Sequence, residues 1–174
     1  MEEESKIDEV SAILKKRAED LAHHEDKSKD NEESLQVVEF LLGSESFALE
    51  TKYIKEVYPL HDYTEVPCTP SFVMGIINLH GTILSIINIK DFLKVPQDGM
   101  TNLNKILILK SETMTFGILA DDIIGVKNIP NNLIQTSFAT FSETQMDFFK
   151  GMTEDPTIIL DGKQILSDKR IIVG

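Results

Sequence analysis

FVMGIINLHGTILSIINI, residues 72–89, consists of two runs of Ile, Leu and other apolar residues broken at Gly75 and Gly81, with His80 at the second break as its only titratable group. Short apolar runs rich in β-branched residues and bounded by glycine read as strands. The pair His80-Gly81 between them reads as a hairpin turn, because histidine is among the side chains that tolerate positive φ beside a glycine. The same texture begins at Leu35 and continues towards the C-terminus, cut by turn signals at 42–46 (LGSES), 110–115 (KSETMT) and 161–162 (DG). Such a region is expected to be mainly β, with small sheets closed into barrels or sandwiches. Asp161-Gly162, lying between TIIL and KQIL, is expected as a two-residue hairpin loop.

The two sides of the polar loop PQDGMTNLN (96–104) resemble each other. Phe47, Leu49, Ile54 and Val57 recur, at the same spacings, as Phe116, Ile118, Ile123 and Val126, and a proline follows each set. Further on, Phe72-Val73-Met74-Gly75 precedes an apolar hairpin and Phe148-Phe149-Lys150-Gly151 precedes another. Together these matches predict a duplicated unit of about 70 residues. Each half is marginal alone, so two barrels sharing an interface are expected, the seam being either filled or offered to a partner. The predicted organisation is an acidic helix and linker over 1–34 and a β domain over 35–174, with halves at about 35–98 and 99–174 between which strands are free to exchange.

Outside the β region, Ile7, Val10, Leu14, Ala18 and Leu21 form one narrow apolar stripe at spacings of three and four, predicting an amphipathic helix over 5–22. The charged linker that follows contains His23 and His24, whose side chains point apart at a helix end and read as solvated rather than metal-bound. No signal-like segment follows the start, and no apolar run approaches the roughly 18 residues of a bilayer span, so a cytosolic protein without direct membrane insertion is expected. The net charge is −12: residues 1–34 hold 12 acids and 6 bases, and residues 35–174 hold 17 acids and 11 bases. Neither part offers a basic stripe, which disfavours nucleic acid and makes a protein the expected partner. Cys68, the only cysteine, excludes an intrachain disulfide and reads as a small apolar filler beside Pro67.

No catalytic constellation is legible, and neither a cofactor nor a metal site is predicted. The HExxH, GxSxG, GxxxxGK[ST] and GxGxxG patterns are missing from the sequence. Asp121 and Asp122 are adjacent, but consecutive strand residues face opposite ways, so a charged strand edge is expected rather than a metal-dependent hydrolase. His61 lies in a polar turn and reads as solvated. His80 reads first as a turn residue, and alternatively as the partner of Glu56 from YIKEV.

The run FLLGSESFALETKYIKEVYPLHDYTEVPCTPSFVMGIINLHGTILSIINIKDFL resembles the CheW family of chemotaxis coupling proteins. The likeness lies in FALE after a turn, in YIKEV, in the step at Val66, Pro67 and Pro70, and above all in F-V-x-G-x-x-N-L-x-G. FGILADDIIGV and TIILDGKQIL extend it downstream, to about residues 36–173. The resemblance implies two SH3-like five-stranded barrels and no catalysis. It implies a scaffold tying the tip of a methyl-accepting receptor to the regulatory domain of a CheA-type histidine kinase, alternating with CheW-like proteins in rings at cytoplasmic receptor arrays. Carried over residue by residue, the partner-binding positions are Ile54, Glu56, Val57, Gly75, Asn78, Leu79 and His80, with Gly81, Asp161 and Gly162 as turn residues. Gly75 is then expected to let a partner helix approach β-strand backbone closely. The chain departs from the family at His80, usually arginine, at Ser85, often proline, and at Asn88, usually acidic. A CheW-like binding module of another pathway, such as twitching motility or a second-messenger circuit, is the alternative.

Overall fold

The computed structural model describes residues 33–96, 102–136 and 142–171. The predicted helix over 5–22, His23, His24, the linker to residue 32 and the centre of the 96–104 loop lie outside the described residues. Ten strands are described: β1 Ser34–Leu42, β2 Glu45–Glu50, β3 Ile54–Pro59, β4 Val73–Leu79, β5 Thr82–Ile87, β6 Lys105–Lys110, β7 Thr115–Ala120, β8 Asp122–Pro130, β9 Phe149–Met152 and β10 Thr157–Leu160. Three short helices accompany them: α1 Ile89–Leu93, α2 Glu143–Met146 and α3 Gly162–Ser167.

The strands form two five-stranded sheets, ordered β8-β1-β2-β10-β9 and β3-β6-β7-β5-β4. Matching β1–β5 with β6–β10 in turn converts the first order into the second. The parallel pair β2/β10 has its twin in β7/β5. Even the irregularities recur: the break opposite Glu39/Phe40 in β1/β8 matches the break between Ile54 and Glu56 in β3/β6, and the break at Val73/Gly75 in β4/β5 matches that at Ile159/Leu160 in β10/β9. The duplication is therefore structural. Each sheet draws on both halves of the chain, because β2 leads across to β3 in the other sheet through a 3-10 turn at Thr51–Tyr53, and β7 leads back to β8 through Asp121.

β2, β6, β7 and β10 are the most buried strands; KILILK (105–110) is apolar at four successive buried positions, as a strand covered on both faces must be. One face of each sheet contributes to a common core that includes Phe40, Phe47, Leu49, Leu107, Leu109, Phe116 and Ile118. Phe40 and Phe47 stack at 6.0 Å. The seam that the sequence left open is thus largely filled. The opposite face of the β3-β6-β7-β5-β4 sheet, the first barrel, encloses a separate apolar cluster of Leu79, Leu84, Ile86, Ile106, Ile108 and Leu119, and that of the β8-β1-β2-β10-β9 sheet, the second barrel, a smaller one of Val37, Ala48, Ile129 and Ile159.

Two expectations are corrected. KQIL is not a strand: Asp161 caps α3, its carboxylate accepting from the backbone N–H groups of Lys163 at 3.0 Å and Gln164 at 3.1 Å. A short acceptor side chain before a helix start outweighs the hairpin reading of Asp-Gly. Gly162 serves proximity, since a Cβ there would sit 2.8 Å from Cγ of Tyr53. Asn88 occupies the twin position before α1 and accepts from Lys90 and Asp91 in the same way, so the departure from an acid at this position keeps the cap. Cys68 is exposed at φ 62°, following Pro67 in a turn, rather than packed as apolar filler.

Candidate interaction site

β3 and β4 are the two edges of their sheet, and the barrel brings them together at the β4–β5 turn. His80 and Gly81 have φ of 51° and 80°, as a two-residue hairpin loop with two left-handed centres requires. The Asn78 Oδ1 accepts from the Gly81 N–H at 3.0 Å and braces this turn. The imidazole of His80 packs edge-on to Tyr58, with ring centroids 5.6 Å apart, and its Nε2 lies 3.5 Å from the Tyr58 hydroxyl. The same nitrogen stands 3.8 Å from Glu56 Oε2, while Glu56 Oε1 forms an ion pair with Lys55 Nζ at 3.0 Å. The geometry therefore unites Glu56, Tyr58 and His80 across the barrel closure. Tyr58 escaped notice in the sequence; its twin relation to a charged residue, Lys127, is the signal that marks the position.

The remaining predicted positions separate. Val57 is 41% exposed and points to the other side of β3 from Glu56. Ile54 is half-buried against the common core and borders an open concavity of about 610 Å³ that also involves Lys52, Lys55, Lys110 and Glu112. Asn78 faces out, so strand alternation turns Leu79 inward, where it joins the barrel core. Leu79 is 7% exposed in the isolated chain. Gly75 is likewise buried, and its φ of 154° and missing Cβ accommodate the chain itself: a methyl would run into the Thr64 carbonyl oxygen and lie 2.9 Å from Cδ2 of Tyr63. Residues 63–64 thus take the space expected for a partner helix, held by mutual hydrogen bonds between Thr64 and Ile76 at 2.9 Å. Asp121 is also committed to the fold, accepting from Gly43 N at 2.5 Å and Asn102 N at 2.6 Å.

The main electrostatic feature lies in the other sheet. Glu39 and Glu50 are each 5% exposed. Burial alone raises the Glu39 carboxyl, but hydrogen bonds from Lys127, Ser46 and Thr157 outweigh it and hold the group below its ordinary range. Burial likewise raises Glu50, and Lys150 at 2.8 Å with Lys52 at 2.5 Å brings it below. A carboxyl depressed in the folded state stabilises fully above its unfolded value, about 4.3, and loses that contribution as pH falls through the folded one. The denaturation midpoint is expected to be flat near neutrality and to fall below about pH 4.3. Glu39→Gln/Glu50→Gln should flatten that acid limb, read by urea unfolding across pH; an unchanged limb would show that these pairs do not carry it.

A duplicated double barrel whose outward features are strand edges and a braced hairpin tip is a scaffold of the binding kind. The chain belongs to the family of the CheW-like domain, whose model matches residues 36–170. It is 28% identical over 148 residues to the chemotaxis protein CheW of Treponema pallidum, covering 81% of this chain and 87% of that protein. The Helicobacter pylori chemotaxis protein CheW is 30% identical over 95 residues, 55% of this chain and 58% of that one. Among solved structures, the scaffolding protein TtCheW from Thermoanaerobacter tengcongensis matches with a TM-score of 0.64 at 27% identity, covering 76% of this chain and 88% of that chain. No helix among the described residues is long and apolar enough to cross a membrane.

Proposed function

We propose that this protein is a non-catalytic chemotaxis adaptor that couples methyl-accepting receptors to the regulatory domain of a CheA-type histidine kinase at cytoplasmic receptor arrays. The family match over nearly the whole β domain carries this reading. The receptor-facing surface comprises Val57, the tip at Asn78 and His80, and Glu56 beside the tip on β3. A scaffold of this kind acts by position: it shifts kinase populations only if it contacts the kinase states unequally.

Two apolar strand edges support membership of a ring. Val57 on β3 and Val126 on β8 are twins in the duplication, and Val126 is 62% exposed beside Ile124 at 48%. With the β3 edge facing the receptor, the exposed β8 edge is left for a second neighbour, so that one molecule can join two others. Other CheW-like proteins are accordingly included among the partners.

The test is co-precipitation of the purified chain with a kinase regulatory domain and a receptor cytoplasmic fragment, separately and together. Val57→Asp places a charge in an exposed apolar contact and is expected to weaken receptor capture at least tenfold, about 1.4 kcal/mol, with the unfolding midpoint unchanged. Failure of the unmodified chain to bind either protein would overturn the reading.

A further inference from the structure

The second barrel, built on β8-β1-β2-β10-β9, carries an open pocket of about 240 Å³ whose mouth is formed by Leu133, Glu154 and Asp155 and whose floor rests on Val37 and Ala48. The register that pairs Glu39 with Ala48 pairs Ile108 with Gly117 in the twin sheet, and Thr157 and Ile159 correspond to Leu84 and Ile86. Around Gly117 the first barrel is packed full: a Cβ there would lie 3.1 Å from Ile86 Cγ2 and 3.5 Å from Ile108 Cδ1. In the second barrel the same place is lined by Val37, Ala48 and Ile129, with the buried Glu39 carboxylate and the Thr157 hydroxyl in its wall. A barrel end that exchanges methyl groups for a carboxylate and a hydroxyl loses dispersion contacts and gains a polar site.

We propose that this cavity is a binding site for a short aliphatic chain ending in a primary ammonium group. The apolar lining suits the methylenes, and Glu39 is the terminal acceptor, its Oε1 already oriented by Ser46 Oγ at 2.7 Å and Thr157 Oγ1 at 3.0 Å. The lining carries three acids, Glu39, Glu154 and Asp155, against one base, Lys127, so the site favours a cation. Lys127 enters from edge strand β8 with 56% of its side chain exposed, and its ammonium on Glu39 Oε2 occupies the position that the ligand head would take. The lysine is thus an internal occupant that an incoming amine displaces. This site is independent of the coupling role.

The experiment is methyl NMR of the full chain titrated with butylammonium chloride, with butanol, sodium butyrate and potassium chloride as controls. Saturable shifts at Val37, Ala48 and Ile129 are expected with butylammonium alone, in the millimolar range. Glu39→Gln should abolish them. Val37→Ile/Thr157→Leu, which fills the void with larger apolar groups and keeps the carboxylate, should do the same in a chain of unchanged fold. Shifts that rise without saturation, an equal response to butanol, or undiminished binding by the filled variant would each overturn the proposal. Nα-acetyl-lysine methylamide distinguishes the source: saturable binding assigns the site to a lysine carried on a polypeptide, whereas binding of butylammonium alone assigns it to a free amine.

Discussion

A Gly75→Ala variant is expected to lose about 3 kcal/mol of folding free energy, lowering the unfolding midpoint by about 10 °C. The added methyl meets backbone, the Thr64 carbonyl, at a φ of 154° that side-chain-bearing residues rarely adopt. Backbone held by hydrogen bonds between Thr64 and Ile76 has no cheap way to retreat. Gly151, the twin position, offers a built-in control. There the methyl would meet Ile134 Cγ2, a branch fixed to the Cβ of a stiff side chain, and the Gln135 carbonyl at 3.0 Å, but without the strain of a positive φ. Gly151→Ala should therefore cost less, about 2 kcal/mol. Thermal unfolding of the two variants decides the order; equal losses, or a neutral Gly75→Ala, would mean that residues 63–64 do not lie across β4. The measurement also separates a structural role for Gly75 from direct contact with a partner, since a structural glycine affects the isolated chain.

Lys127→Tyr should destabilise by about 2 kcal/mol, because it strands the Glu39 carboxylate in a barrel interior. Breaking a buried pair costs about 3–5 kcal/mol, discounted because Lys127 is more than half exposed. Adding Glu39→Ile and Thr157→Leu should recover most of this loss. The triple variant copies the first barrel, where Ile108, Leu84 and Tyr58 stand at these positions, and it removes the buried Thr157 hydroxyl together with its acceptor, while the Ser46 hydroxyl, only partly buried, turns to water. Its stability is expected to lie within about 1 kcal/mol of the parent, a non-additivity of about 2 kcal/mol among contacting residues. Urea unfolding of the single and triple variants tests this directly. Additive losses would show that the ion pair contributes as much as the apolar packing of its twin.

The hairpin at His80-Gly81 was legible because its turn chemistry is local: two adjacent residues that accept positive φ, between apolar runs, leave few alternatives. Asp161-Gly162 misled because the same dipeptide also begins a helix, and the choice depends on Tyr53, more than 100 positions away, lying against Gly162. Leu79 misled for a different reason. A family motif ranks residues by recurrence, and recurrence marks core positions as readily as contact positions, whereas alternation next to an exposed Asn78 assigns Leu79 to the interior.

By itself the sequence determined the β class, the duplication, the family resemblance and the lack of any local catalytic motif, all properties carried by spacing and composition along the chain. Only the tertiary structure decided which strands share a sheet, which glycine is covered by its own chain, and that Glu39 and Glu50 are buried against lysines up to 100 positions away. The physical reason is that apolar periodicity specifies which face of a strand is buried but not what it is buried against. Exchange of strands between two halves of the same strand pattern preserves the local patterns while changing the long-range neighbours.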